Sequence, residues 1–283
     1  MEYSTVIGSN HVYQYLDDPH WRIVDCRFNL QDPDHGRGLY ALEHLPNAVY
    51  AHLDDDLSSP ITVTSGRHPL PDIESFKATL GRWGIDADTQ VVAYDDAGGS
   101  YAARLWWLLQ WLGHKKVAVL DGGFSVWKKQ GLPVTAEQPR ITATEFHGEP
   151  QPGMNISTEQ LQQQLTQSQI CLIDVRDPER FEGTTEPIDD VAGHIPGAIN
   201  MPWKQNVDDN GLFLPKSQLY DYYKKLLRTN ADRQLILMCG SGVTACHGLL
   251  ALSYIGESGG KLYPGSWSEW IRDPDRPVKS VNQ

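Results

Sequence analysis

An internal repeat constrains this chain more than any other feature, because a pattern that recurs in order along a sequence implies one structural unit built twice. Ile23-Val24-Asp25-Cys26-Arg27 returns as Leu172-Ile173-Asp174-Val175-Arg176, each a short apolar run closing on Asp-x-Arg, as a buried strand does at the edge of its sheet. Glu43-His44-Leu45-Pro46-Asn47-Ala48 parallels Gly193-His194-Ile195-Pro196-Gly197-Ala198. Val91-Val92-Ala93-Tyr94-Asp95 parallels Leu235-Ile236-Leu237-Met238-Cys239, so Asp95 stands where Cys239 stands. The helical run Ala102 to Leu109 matches that from Cys246 to Leu252, and Gly122-Gly123-Phe124-Ser125-Val126-Trp127 matches Gly265-Ser266-Trp267-Ser268-Glu269-Trp270. Strands alternating with helices in each half predict an α/β fold of tandem domains, each a parallel β-sheet with helices on both faces. The expected division is 1–138, a Pro-, Thr-, Glu- and Gly-rich linker over 139–155, and 156–283 opening on the capping box Ser157-Thr158-Glu159-Gln160.

Length agrees, since 283 residues suit two cores better than one that stops growing at roughly 250 to 300 residues. The 40% hydrophobic content with nine Trp describes a chain that orders fully. A formal charge of −12 leaves no basic surface to neutralise phosphates, which excludes a nucleic-acid partner and requires any anionic substrate to meet a local positive site. No apolar run approaches a membrane span, and Met1-Glu2-Tyr3-Ser4-Thr5 does not begin a basic-then-apolar leader, so neither membrane association nor export is expected and the cytoplasm is the expected compartment. The four cysteines, at 26, 171, 239 and 246, form neither Cys-x-x-Cys nor a zinc pattern, so no metal and no cofactor is expected. Cys26 and Cys171 lie in apolar runs and read as small core residues.

Cys239 has different surroundings. It ends the apolar run Leu235 to Met238, precedes Gly240-Ser241-Gly242-Val243-Thr244, and is followed by a predicted helix from Ala245 to Tyr254. In a parallel sheet ligands bind beyond the carboxyl ends of the strands. Gly240 and Gly242 let the loop curl its N–H groups inward, and the helix N-terminus adds partial positive charge, which makes an anion-binding cradle around a sulfur. The thiolate is the reactive form of such a sulfur, and a persulfide would be held in the same way. A cysteine phosphatase would place an Arg six residues on, where this chain has Ala245; phosphoryl transfer relies on that charge, and the loop carries no cation.

The tandem repeat, Cys-Gly-Ser-Gly-Val-Thr-Ala at 239–245, Gly-His-Ile-Pro-Gly-Ala at 193–198 and Gly-Ser-Trp-Ser-Glu-Trp at 265–270 together resemble the rhodanese superfamily, most closely its two-domain 3-mercaptopyruvate and thiosulfate sulfurtransferases. The resemblance implies an inactive first domain, in keeping with Asp95, and a second that carries sulfur as a Cys239 persulfide from a small-molecule donor to cyanide, a thiol or a protein. Gly240 and Ser241 match the mercaptopyruvate branch, since the thiosulfate branch carries Arg-Lys there. It further implies a relay of Ser241, His68 and an acid among Asp54, Asp55 and Asp56, with Asp54 the best match. Donor binding is implied for Arg180 and the loop residues Gly240, Gly242, Val243 and Thr244. Arg176 is either a further donor ligand or half of a structural ion pair, as Arg27 recurs in the other half. One departure is evident: a second carboxylate-binding Arg is usual before the Gly-His motif, but 183–194 holds Glu186, Asp189, Asp190 and no Lys or Arg. This leaves thiosulfate as an alternative donor. Cys246 reads as helix packing, with a resolving thiol as the alternative. A non-catalytic binding module is the alternative of another class.

Overall fold

The two Asp-x-Arg runs become interior strands of two separate parallel sheets. The computed structural model describes residues 2–167 and 169–281. Contacts divide the chain into two compact units: Met1–Ser59 with Leu70–Gln151 and Val207–Phe213, and Pro60–Pro69 with Pro152–Asn206 and Leu214–Gln283.

In the first unit the elements run β1 (Val6–Ile7), α1 (Ser9–Tyr13), β2 (Trp21–Asp25), α2 (His35–Leu42), β3 (Ala48–Tyr50), α3 (Ile73–Arg82), β4 (Gln90–Tyr94), α4 (Ala102–Trp111), β5 (Val117–Leu120) and α5 (Gly123–Lys129). All pairings are parallel, in the order β1-β5-β4-β2-β3. The strands β4 and β5 are buried at every position, as strands covered on both faces must be, and Ile23, Val92, Ala118, Leu120, Phe124 and Trp127 meet in one apolar cluster. Burial first, and then the neighbouring Asp25, push the Cys26 thiol well above its ordinary range, which suits a protonated core residue.

The second unit runs α6 (Thr158–Leu165), β6 (Ile170–Asp174), α7 (Pro178–Glu182), β7 (Ile199–Asn200), a 3₁₀ turn (Trp203–Asn206), α8 (Lys216–Thr229), β8 (Gln234–Met238), α9 (Thr244–Tyr254), β9 (Lys261–Leu262) and α10 (Ser266–Trp270). Its sheet is again parallel, in the order β7-β6-β8-β9. The Ser157 side chain accepts from the Gln160 N–H and the Gln160 side chain answers, so α6 opens on the expected capping box. Thus each half is the α/β unit read from the repeat. No helix among the described residues is long and apolar enough to cross a membrane.

The stretch expected as a linker, 139–155, holds no helix or named strand and is exposed at most of its positions, and parts of it are bonded to the first unit. Thr144 N–H donates to Gly81 O, Gln151 N–H to Trp111 O, and Phe146 is buried, all within the first unit. Backbone bonds and a single aromatic hold it there, which leaves no hydrophobic period for the sequence to show.

The recurring Asp-x-Arg is also explained. Arg27 bonds both oxygens of Asp25 and donates to Glu43 O at 2.6 Å; Arg176 bonds both oxygens of Asp174 and donates to Gly193 O at 2.7 Å. Each pair is fully buried and ties a strand end to the segment that carries the His-x-Pro motif. A buried pair of this kind is tolerated because both charges are compensated, and losing one partner strands the other.

Candidate active site

Chain order in the second sheet places β6 between β7 and β8, so the connections leave β6 and β8 in opposite directions, the arrangement at whose strand carboxyl ends ligands bind in open α/β sheets. Cys239 lies at that end of β8 and is buried. The start of α10 clamps the turn: Cys239 N–H donates to Ser266 Oγ (3.1 Å), Cys239 O accepts from Trp267 N–H (3.0 Å), and Gly240 O accepts from Ser268 N–H (2.9 Å). Gly242 has φ +75°, and a Cβ there would stand 2.4 Å from Pro264 O, so glycine is required twice over. Helix α9 begins at Thr244, one residue before the sequence reading. In its first turn Cys246 N–H bonds Val243 O at 3.0 Å, and the positive end of the helix dipole lies where the Cys239 loop ends. Gly248 brings α9 close to β8, since a Cβ there would lie 2.6 Å from a Leu237 methyl. Cys246 is fully buried inside α9 with its Sγ donating to Gly242 O at 3.3 Å, a packing position.

The first unit shows what such a loop does with a fixed anion. Asp95, at the same place after β4, accepts at Oδ1 from Ala97 and Gly99 N–H and at Oδ2 from Tyr101 and Ala102 N–H, at 2.8 to 2.9 Å. Burial pushes this carboxyl above its ordinary range, against the downward pull of those four amides. The loop after the corresponding strand is therefore a nest for negative charge, filled in one unit by a carboxylate and lined in the other by a thiol.

Side chains from the 60–69 and 176–193 segments complete the second unit's site. His68 Nδ1 and Ser241 Oγ are 2.7 Å apart, and both residues are buried. Arg180, on α7, bonds Glu186 through Nε (2.9 and 3.1 Å) and Asp189 through Nη2 (2.9 Å). Arg67 reaches the same Asp189 carboxylate from the other side through Nη1. A Cβ on Gly240 would lie 2.8 Å from Arg67 Nη2 and 3.6 Å from both terminal nitrogens of Arg180, so two guanidinium groups overlie the residue that follows Cys239. Burial pushes the Asp189 carboxyl above its ordinary range, against the pull of Arg67, and Glu186 adds to the rise.

Most of the residues named from sequence meet here: Cys239, Gly240, Ser241, Gly242, Val243 and Thr244 on one turn, His68 on Ser241, and Arg180 above Gly240. Arg176 does not join them; its guanidinium is committed to Asp174, Gly193 O and, at 3.4 Å, Glu186. Asp54 belongs to the first unit, where its N–H donates to His52 Nδ1. Of its neighbours, Asp55 pairs with Arg37 at 3.0 Å and Asp56 accepts from His52 N–H at 2.8 Å. The loop itself carries no cation, but Arg67 and Arg180 bring two beside it from other segments. The only sequence signal of Arg67 was adjacency to His68, and Glu186 and Asp189 had registered merely as the absence of a second Arg.

Comparison with known proteins follows the same outline. The rhodanese-like domain family matches the chain twice, over 9–130 and 157–273. A Pseudomonas aeruginosa protein named as a 3-mercaptopyruvate sulfurtransferase is 45% identical over 280 residues, covering 98% of this chain and 99% of that protein. The rat thiosulfate sulfurtransferase is 33% identical, with 90% of this chain and 86% of the relative covered. Among solved structures, SseA of Escherichia coli, described with the 3-mercaptopyruvate enzymes, superimposes with a TM-score of 0.82 at 29% identity over 94% of this chain and all of its own.

Proposed function

The chain belongs to the rhodanese family and is a sulfurtransferase, and from that premise we propose that it takes sulfur from 3-mercaptopyruvate onto Cys239 and passes it to cyanide, a thiol or a protein acceptor. The observation that carries this reading is the grouping of Cys239, the Ser241–His68 pair and two guanidinium groups around one turn.

The Cys239 thiolate attacks the donor sulfur, the carbon–sulfur bond breaks, and its electron pair passes to the pyruvate enolate. The donor's own thiol proton balances the step: relayed through Ser241 and His68 to the departing carbon, it leaves pyruvate and an anionic Cys239 persulfide. Amides of the loop and of the first turn of α9 hold that anion, as those after β4 hold Asp95. An acceptor nucleophile then attacks the outer sulfur and restores the thiolate. On the resemblance, Asp54 is the acid proposed for the relay. A carboxylate there would fix the orientation of His68. Arg180 binds the donor's carboxylate.

The test is to compare kcat/KM for 3-mercaptopyruvate and thiosulfate and to weigh the protein intact after each donor alone. The expected results are a preference for mercaptopyruvate and a mass gain of one sulfur that disappears in Cys239→Ser. Sulfur transfer by Cys239→Ser would overturn the mechanism. A second reading, with thiosulfate as donor, is favoured by the two guanidinium groups over Gly240, which supply the charge a dianion needs. A strong preference for thiosulfate in the same comparison would establish it.

A further inference from the structure

The contact between Arg67, Asp189 and Arg180 has an arrangement that a purely structural ion pair does not need. Two guanidinium groups converge on the two oxygens of a single carboxylate, Arg67 Nη1 on Oδ1 and Arg180 Nη2 on Oδ2, directly beside the turn that carries Cys239. The Asp189 side chain is almost fully enclosed, while those of Arg180 and Arg67 keep 15% and 22% of their surface, so the open side of the group belongs to the arginines. Arg67 also has a buried Nε that donates to no acceptor among the described residues, so its bonding capacity is not met by Asp189. Asp189 lies on an irregular segment whose ends, Gly183 (φ +79°) and Gly193 (φ +120°), have left-handed backbone, and its neighbour Ile188 is exposed. Arg180, by contrast, keeps Glu186 on its Nε when Asp189 is removed from consideration.

We infer that Arg67 and Arg180 form the clamp for the donor's carboxylate and that Asp189 is an internal carboxylate occupying it in the donor-free protein, displaced when the donor binds and returning as pyruvate leaves. This rests on the function proposed above and supplies, from the 60–69 segment, the second arginine that 183–194 lacks. The charge arithmetic favours exchange: Asp189 leaving and a carboxylate entering preserves the neutralisation of both guanidinium groups, so the donor need not overcome an uncompensated buried charge. The arrangement repeats the device of the first unit, where Asp95 fills the amide nest, except that here the internal anion sits on a segment rather than on a strand end.

The probe is pyruvate, titrated calorimetrically into the full-length protein without any sulfur donor, so that the outcome does not depend on Cys239 chemistry. Asp189→Asn, which removes the competing charge and keeps the volume, should bind pyruvate on the order of tenfold more tightly than wild type, and Arg67→Gln on the order of tenfold more weakly, each about one charge-assisted hydrogen bond. In turnover with 3-mercaptopyruvate, Asp189→Asn should lower KM with little change in kcat, and Arg67→Gln should raise KM. Far-UV circular dichroism confirms that both variants fold, and Asp189→Ser serves as a second neutral variant should Asn fail that check. Unchanged or weaker pyruvate binding in the neutral Asp189 variants, or undiminished binding in Arg67→Gln, overturns the clamp. Absence of a Cys239 persulfide with any donor overturns the proposed function instead.

Discussion

Gly242→Ala is the substitution for which the structure yields the largest effect from the smallest change. Its new methyl would stand 2.4 Å from Pro264 O and 2.9 Å from Pro264 Cα, both backbone atoms that cannot rotate away. Restoring ordinary contact requires the turn to move by roughly 0.6 to 1 Å, on the scale at which misplacing a reacting group costs about a hundredfold in rate. The backbone itself resists, because φ +75° costs an alanine about 1 to 2 kcal/mol, and forcing a methyl into a packed site adds about 1 to 3 kcal/mol. A total near 3 kcal/mol corresponds to a fall in melting temperature of roughly 10 °C for a unit of this size. Gly240→Ala is the internal control: its methyl crowds Arg67 Nη2 at 2.8 Å, the far end of a flexible side chain, and touches the Arg180 nitrogens at an ordinary 3.6 Å, so it should raise KM for the donor and leave the melting temperature nearly unmoved. Steady-state sulfur transfer from 3-mercaptopyruvate to cyanide and a thermal melt read both quantities. A Gly242→Ala protein within about threefold of wild-type kcat/KM would refute the argument that the turn's position is set by contact with Pro264.

Arg176→Gln should destabilise the protein by about 3 to 5 kcal/mol in urea unfolding, because it leaves Asp174 charged and enclosed, and a change in donor KM without a stability loss would contradict its structural assignment. Asp95→Asn should destabilise by about 2 kcal/mol or more, since an amide cannot accept at both ends from four N–H donors. The same variant tests a pH dependence. With its folded pKa raised by burial, Asp95 binds its proton more tightly in the native state, so its contribution to stability is lost as pH rises from the ordinary carboxylate range through the folded value. The stability of wild type minus Asp95→Asn, followed across the acid range, should therefore fall with rising pH and then level; a rise in that interval refutes the burial argument. His68→Ala should depress turnover of 3-mercaptopyruvate, which needs a proton delivered to carbon, more than turnover of thiosulfate, which does not, and equal losses refute the relay.

Repeats, strand ends and caps were legible in the sequence because they are short-range. Apolar runs that end in Asp-x-Arg, a Gly-rich turn between strand and helix, and Ser-x-x-Gln before a helix each depend on neighbours a few residues away, and the two sheets follow them in order. Cys239, Ser241 and Gly242 were readable for the same reason, since strand, turn and helix are consecutive. Arg67 was not. Its partners lie in the 176–193 segment and at Gly240, and a lone arginine in a polar loop has no pattern that separates it from plain surface. Asp189 registered only as one acid in a stretch without Lys or Arg, because charge counted along a sequence does not reveal which opposite charge it will meet. Arg176 stood between two readings, and its buried pair with Asp174 supports the structural one. The sequence alone thus determined the repeated α/β units and the placing of a cysteine on a strand-end turn, through periodicity and local backbone preference. Only the tertiary structure decided which charges surround that cysteine, because an ion pair forms between atoms brought together by the whole fold and leaves no periodic trace in the chain.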